Sequence, residues 1–289
     1  MLSLLLLLAA ADPLSLDDGS RVVLLGSTLI EREQRYGHWE LALTACFPGK
    51  KIQVRNLGWS GDTVFGHARD GYAYTRTGTA TVAGGYKHLV DHTLSVKPTH
   101  LIIAYGTNEA FGGEKELAAF RKGLEKLLKD LEPAKAKAWL VTPLMQGTMP
   151  PPLPSPEKAN ANLKRYADVI REVAKERNLG LVDLAELAGD IGKKGWTDNG
   201  IHLTEEGYRG SAPLFLKGLG LKPVEAKNAD KARAALVKKN ELYFHRWRPQ
   251  NETYLFGFRK HEQGKNGIEI PRFDPLVEAK EKEIAELLK

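Results

Sequence analysis

The sequence predicts an α/β fold, a three-layer α/β/α sandwich in which a parallel five-stranded sheet is covered by helices on both faces. Three observations carry the prediction. Five short apolar runs rich in β-branched residues recur through the first two-thirds of the chain. Stretches of helical periodicity separate them, and the segments that follow the runs are rich in Gly, Ser, Thr and Asn. Strands that alternate with helices pair in parallel and bury both sheet faces, and right-handed crossovers place helices on each side.

The strands are expected at 21–26 (RVVLLG), 51–56 (KIQVRN), 99–105 (THLIIAY), 137–142 (KAWLVT) and 180–184 (GLVDL). Each is short and apolar and ends at a turn signal. Helices are expected at about 29–46, 85–95, 114–131, 157–177 and 204–217, where apolar residues recur every three to four positions. Thr204, followed by Glu205 and Glu206, reads as the start of the last of these. Two connections are long, 57–84 and 144–156, and both follow strands. They are therefore expected at the carboxyl edge of the sheet, where open α/β sheets bind ligands. The domain boundaries expected are 1–19 for a signal-like segment and arm, 20–221 for the sandwich, and 222–289 for a helical and irregular extension packed on it.

A net charge of +6 over 289 residues is modest, and the lysines alternate with glutamates on helix faces such as 114–132. That pattern is a solvated surface, so no nucleic-acid partner is expected. One cysteine, Cys46, excludes an internal disulfide and reads as a small buried apolar residue. The eight histidines are dispersed, and His88 and His92 read as one helix face, so neither metal nor cofactor is expected. The N-terminal run, Leu4 to Leu8 followed by Ala9-Ala10-Ala11, has the order of a signal's apolar and cleavage regions, with no basic residues ahead of it. It is too short to span a bilayer. Export to the periplasm or the exterior is expected, without stable membrane insertion.

Four segments with chemical potential fall at the ends of elements. They are Gly26-Ser27-Thr28, Asn56-Leu57-Gly58-Trp59-Ser60-Gly61-Asp62-Thr63, Gly106-Thr107-Asn108-Glu109, and Thr197-Asp198-Asn199-Gly200-Ile201-His202-Leu203. Together, in this order, they resemble the four blocks of the SGNH (GDSL-type) hydrolase superfamily, over roughly residues 20–217. The resemblance implies a flavodoxin-like fold and ester cleavage by a nucleophile, a histidine base and an oxyanion hole. It gives Gly61 and Asn108 as oxyanion donors beside the backbone N–H after the first strand, and His202 as base. Such donors aim at the oxygen that becomes negative in the tetrahedral intermediate. An imidazole can take and return a proton near neutral pH.

Two positions depart from the family pattern. Where the family has Gly-Asp-Ser, this chain has Gly26-Ser27-Thr28, which puts Thr28 at the nucleophile's position and Ser27 at that of the Asp. The alternative is a rearranged turn that presents Ser27, which otherwise should point to the other side of the strand exit. Where the family has Asp three residues before the histidine, this chain has Asn199, with Asp198 one residue earlier. Either Asp198 or Asn199 would orient His202. Ser60 lacks the Gly-x-Ser-x-Gly spacing of a nucleophile elbow and belongs to the loop that carries Gly61.

The tail mixes aromatic residues with arginines. Trp59, Arg246 and Arg248 are candidates for the substrate-binding rim, and Tyr243, Trp247 and Tyr254 for stacking on sugar rings. Ordinary packing of the tail is the competing reading. The expected function is an exported ester hydrolase acting on a small-molecule or carbohydrate ester, in particular a carbohydrate acetyl esterase. The alternative is a weak or inactive protein of the same fold that binds a carbohydrate or ester.

Overall fold

The protein is described by a computed structural model covering residues 12–70 and 84–289. The apolar N-terminal run and residues 71–83 of the 57–84 connection lie outside the described residues. Five strands, β1 (Arg21–Gly26), β2 (Gln53–Asn56), β3 (His100–Ala104), β4 (Lys137–Val141) and β5 (Gly180–Val182), form one sheet in the order β2-β1-β3-β4-β5, all parallel. This is the flavodoxin-like order. Its topological switch lies between β1 and β3, where a crevice opens at the carboxyl ends of the two strands.

The helices are α1 (Thr28–Tyr36), α2 (His38–Ala45), α3 (Gly84–Ser95), α4 (Leu117–Leu131), α5 (Glu157–Glu176), the short α6 (Leu184–Leu187), α7 (Glu205–Gly218), α8 (Ala229–Trp247), the short α9 (Glu252–Leu255) and α10 (Phe273–Leu287). The single helix expected at 29–46 is two. Gly37, in the left-handed region at φ 67°, closes α1 with its N–H on Glu33 O and starts α2 in a new direction. The apolar pattern runs on through that break, so periodicity alone does not show it.

Alternation along the strands builds a core on each face. Val22, Leu24 and Ile102 pack with Trp39, Leu43, Tyr208 and Phe215 of α2 and α7. Val23, Leu25, Leu101 and Ile103 pack with Phe120, Leu124, Tyr166 and Ile170 of α4 and α5. Trp39 stacks on Phe215, with ring centroids 4.7 Å apart, and donates its indole N–H to Ser211 Oγ at 2.9 Å.

Beyond α7, helix α8 lies against α1, α2 and β2, and α10 lies along α8. Ala232, Leu236 and Ile284 supply an apolar seam between them. A buried ion cluster completes this junction. Lys239 pairs with Glu40 and donates to Val54 O at 3.0 Å, while Asn240 Nδ2 donates to the same carboxylate at 2.9 Å. Arg55 of β2 pairs with Glu281 of α10 and lies 4.9 Å from the Tyr243 ring centroid.

Candidate active site

The first turn leaves β1 at Gly26 and enters α1 within two residues, which sets Ser27 at the helix N-cap and Thr28 at its first position. Ser27 is 2% exposed. The second loop follows β2 and crosses the start of α1 so closely that a Cβ on Gly58 would stand 2.3 Å from Glu31 N. Glycine is the residue that permits this approach. The loop is anchored by Asn56, whose amide donates to Ile30 O at 2.6 Å and accepts from Gly58 N–H at 2.9 Å.

That anchoring delivers Gly61 to the end of β1. Its N–H donates to Thr28 Oγ1 at 3.2 Å. The third turn is tied to the same loop. Asn108 Nδ2 donates to Asp62 O at 2.7 Å, and the buried Glu109 carboxylate accepts from Val64 N–H and Gly106 N–H, each at 2.9 Å. Burial raises the Glu109 carboxyl above its ordinary pKa. Asn108 stands at the N-cap position of a 3-10 turn (Glu109–Gly112) without capping it. Its amide serves the neighbouring loop instead.

The fourth segment is pinched into a loop by a bridge between Thr197 and Leu203, and Thr204 caps α7 by accepting Gly207 N–H at 3.2 Å. Inside the loop Asn199 Oδ1 accepts from the backbone N–H groups of Ile201 and His202, at 3.0 and 2.9 Å. The amide orientation is thereby set, and Asn199 Nδ2 faces His202 Nδ1 at 3.0 Å. An amide NH₂ can only donate. The neutral imidazole therefore accepts at Nδ1 and carries its proton on Nε2. Burial and the Arg32 guanidinium hold the ring's pKa below its usual 6.5, against the opposing pull of Asp198. Asp198 itself pairs with Arg32 NH2 at 3.2 Å, and the same nitrogen donates to Leu203 O at 3.2 Å.

A cavity of about 230 Å³ brings these groups together. Ser27, Thr28, Asn108 and His202 line it, with Arg32 and Gln146 as further polar groups and Leu29, Leu144 and Tyr208 among the apolar ones. Phe111, two-thirds exposed, stands in its wall. Ser27, 2% exposed, also borders this cavity beside Thr28. Leu144 and Gln146 come from the 144–156 connection, which does reach the carboxyl edge.

The remaining candidates are placed elsewhere. Trp59 is 7% exposed and lies outside the cavity lining, beneath the Arg248 guanidinium at 3.5 Å from the ring centroid. Arg248 also pairs with Glu31 at 2.8 Å. Arg246 is engaged by both oxygens of Asp274, at 2.7 and 3.2 Å. Tyr243 lies beside Arg55, and Tyr254 lies 4.6 Å from the Arg259 guanidinium. Tail packing accounts for these side chains. Cys46 is partly buried, with its thiol pKa raised by burial. His88 and His92 share one face of α3, 5.5 Å between rings, and no group of three metal-ligating side chains occurs among the described residues. Nor, among these residues, is any helix long and apolar enough to cross a membrane.

Arg32 and Glu31 escape a reading by motif. A signal for Arg32 existed, since it lies one helical turn after Thr28 and so shares its face of α1.

Residues 20–209 match the model of the GDSL-like Lipase/Acylhydrolase family. No curated protein sequence matches the chain significantly. Among solved structures, a catalytic mutant of Axe2, an acetylxylan esterase from Geobacillus stearothermophilus, superposes with a TM-score of 0.55 at 19% identity, covering 74% of this chain and 100% of that one. The acetyl xylan esterase AlAXEase gives 0.51 at 18% identity, covering 68% and 98%. LAE5, an α/β hydrolase enzyme from the metagenome of Lake Arreo, Spain, gives 0.53 at 18% identity, covering 71% and 97%. At these identities the likeness is one of fold.

Proposed function

The chain belongs to the GDSL-like lipase/acylhydrolase family, a family of carboxylic ester hydrolases, and from that premise we propose that it removes a short acyl group, acetyl, from a carbohydrate ester. The observation that carries the reading is the convergence of Thr28, Asn108 and His202 on one small cavity, with the Gly61 N–H 3.2 Å from Thr28 Oγ1. Pockets for drug-sized ligands run from about 300 to 1,000 Å³. A cavity of about 230 Å³ suits an acetyl group with part of a sugar better than a long acyl chain. Two of the structural neighbours are acetylxylan esterases, which favours the same substrate class. Export, expected from the apolar run before residue 12, fits a polymeric substrate that a cell does not take up.

In this reading Thr28 Oγ1 attacks the ester carbonyl and its proton passes to His202. The oxygen that becomes negative is held by the Gly61 N–H, the Asn108 amide and the N–H at the start of α1. His202 then returns the proton to the leaving sugar hydroxyl, and water repeats the sequence on the acyl-threonine. The step is slow for two reasons. The threonine methyl restricts χ1 and crowds the attack. The Asn199 contact holds the proton on Nε2, the nitrogen that a triad base keeps free, so attack draws on the minor tautomer.

The same contact favours a second reading, a protein that binds a carbohydrate or ester without turning it over. Turnover of p-nitrophenyl acetate separates the two. The hydrolase reading expects wild-type hydrolysis above that of Thr28→Ala and His202→Ala. Rates equal in all three would leave the binding protein. Loss confined to Ser27→Ala would move the nucleophile by one residue.

A further inference from the structure

The loop that carries Gly61 is held from outside the family-matched part of the chain. Gly61 has φ 78°, and among the described residues no atom beyond its chain neighbours lies within 4 Å of where its Cβ would be, so its position depends on how the loop is held on either side. Asn108 holds the residue after Gly61, at Asp62 O, and a second restraint acts on the two residues before Gly61. Ser60 donates its N–H to Glu31 Oε2 at 2.8 Å and its hydroxyl to Glu31 Oε1 at 3.0 Å. Arg248 NH1 donates to the same Oε2 at 2.8 Å, while its guanidinium lies 3.5 Å from the centroid of the Trp59 ring.

Arg248 therefore grips the loop twice, through a carboxylate that binds Ser60 and through the π face of Trp59. A guanidinium fits both tasks because it is planar, delocalised and permanently charged. The pair is well shielded, with the Glu31 side chain 11% and the Arg248 side chain 25% exposed. Shielding of this order makes the contact worth more than an open surface pair. Arg248 sits just past the end of α8, and the family match stops at residue 209.

We propose that Arg248 is a positioning residue for the oxyanion-hole donor Gly61, acting through Glu31 and Trp59, so that the docked C-terminal segment completes the active site. The role assigned to Gly61 rests on the function proposed above. Without the guanidinium, the Glu31 carboxylate is free to follow Ser60, and the Gly61 N–H loses its fixed aim at the developing oxyanion. Such a donor acts on the transition state more than on the bound ester, so the loss falls on kcat rather than KM.

The test uses the full chain and the variants Arg248→Ala, Arg248→Lys and Glu31→Gln. Steady-state kinetics on p-nitrophenyl acetate are measured beside thermal midpoints and the hydrogen exchange of the Ser60 and Gly61 amides. Arg248→Ala is expected to lower kcat about tenfold to a hundredfold with KM within about twofold. Its Ser60 and Gly61 amides exchange faster, and millimolar guanidinium restores part of kcat in this variant but not in wild type. Arg248→Lys recovers little, since an ammonium lacks the planar stack. Unchanged exchange at residues 60 and 61 in Arg248→Ala overturns the proposal, as does a kcat loss no larger than the fraction unfolded. Should wild type show no turnover, the proposed function fails, and the exchange measurement still decides whether Arg248 holds the loop.

Discussion

Asn199 Nδ2 stands 3.0 Å from His202 Nδ1, while the oxygen of the same amide is occupied by two backbone N–H groups. A carboxylate in that place would accept the same two bonds with one oxygen and the Nδ1 proton with the other. Asn199→Asp is therefore expected to move the imidazole proton to Nδ1, free Nε2 as a base and stabilise the imidazolium. In the Ser-His-Asp template the opposite change costs roughly 10⁴ in kcat. Here a gain of at least about tenfold in kcat/KM on p-nitrophenyl acetate is expected. A rate equal to or below that of wild type would show that the amide does not limit proton transfer.

Thr28→Ser is expected to raise kcat about threefold to tenfold, since the hydroxyl keeps its Gly61 contact and loses the methyl that stiffens χ1. Ser27→Ala should stay within about twofold of wild type, because the position is buried and its side chain makes no capping bond. Combining Thr28→Ser with Asn199→Asp tests whether the two departures act on one step. Gains that multiply place them on separate contributions to the same barrier.

The sheet and the carboxyl-edge position of its long loops were legible because β-branched runs and their turn residues are local signals. Gly26 ends, and Gly61 and Asn108 follow, strands that these signals mark, while the donor roles of Gly61 and Asn108 come from the likeness to the family blocks. Other assignments depend on closures between distant segments. Asp198 and Asn199 are adjacent, and only the Thr197–Leu203 bridge and the Arg32 pair turn one away from the ring and the other toward it. Arg246 and Arg248 look alike in the sequence. The first lies within α8 and meets Asp274, whereas the second lies past the helix end, at φ −130°, where it reaches Glu31. Trp59 looked like an exposed aromatic of a binding loop because the arginine that covers it comes almost two hundred residues later.

The pH dependence of turnover follows from the environment of His202. The ring must be neutral to take a proton, so activity falls as pH drops through its pKa. Burial and Arg32 depress that pKa below 6.5, and the acid limb of kcat/KM is expected below pH 6.5. Asn199→Asp places a negative charge beside the ring, which favours imidazolium and moves the limb upward. A limb that stays in place in Asn199→Asp, or one above 6.5 in wild type, would assign the titration to another group.

A stability prediction comes from the buried end of α1. Glu33 is fully buried and accepts the backbone N–H groups of Trp39 and Glu40 with one oxygen, while its other oxygen has no hydrogen-bond partner among the described residues. Burial and then the neighbouring Glu40 raise its pKa from 4.5 to about 7. A carboxyl whose folded pKa is raised contributes stability that is fully present below its unfolded value and is lost as pH rises through the folded one. The contribution is roughly 3 kcal/mol for a shift of this size, lost between about pH 4.5 and 7. Glu33→Gln keeps the two accepted bonds and removes the titration. Its unfolding free energy, measured in urea at pH 5 and at pH 8, should therefore gain on wild type as pH rises. An equal difference between the two proteins at both pH values would show that Glu33 is ionised in the folded state throughout, and that Lys239 compensates it.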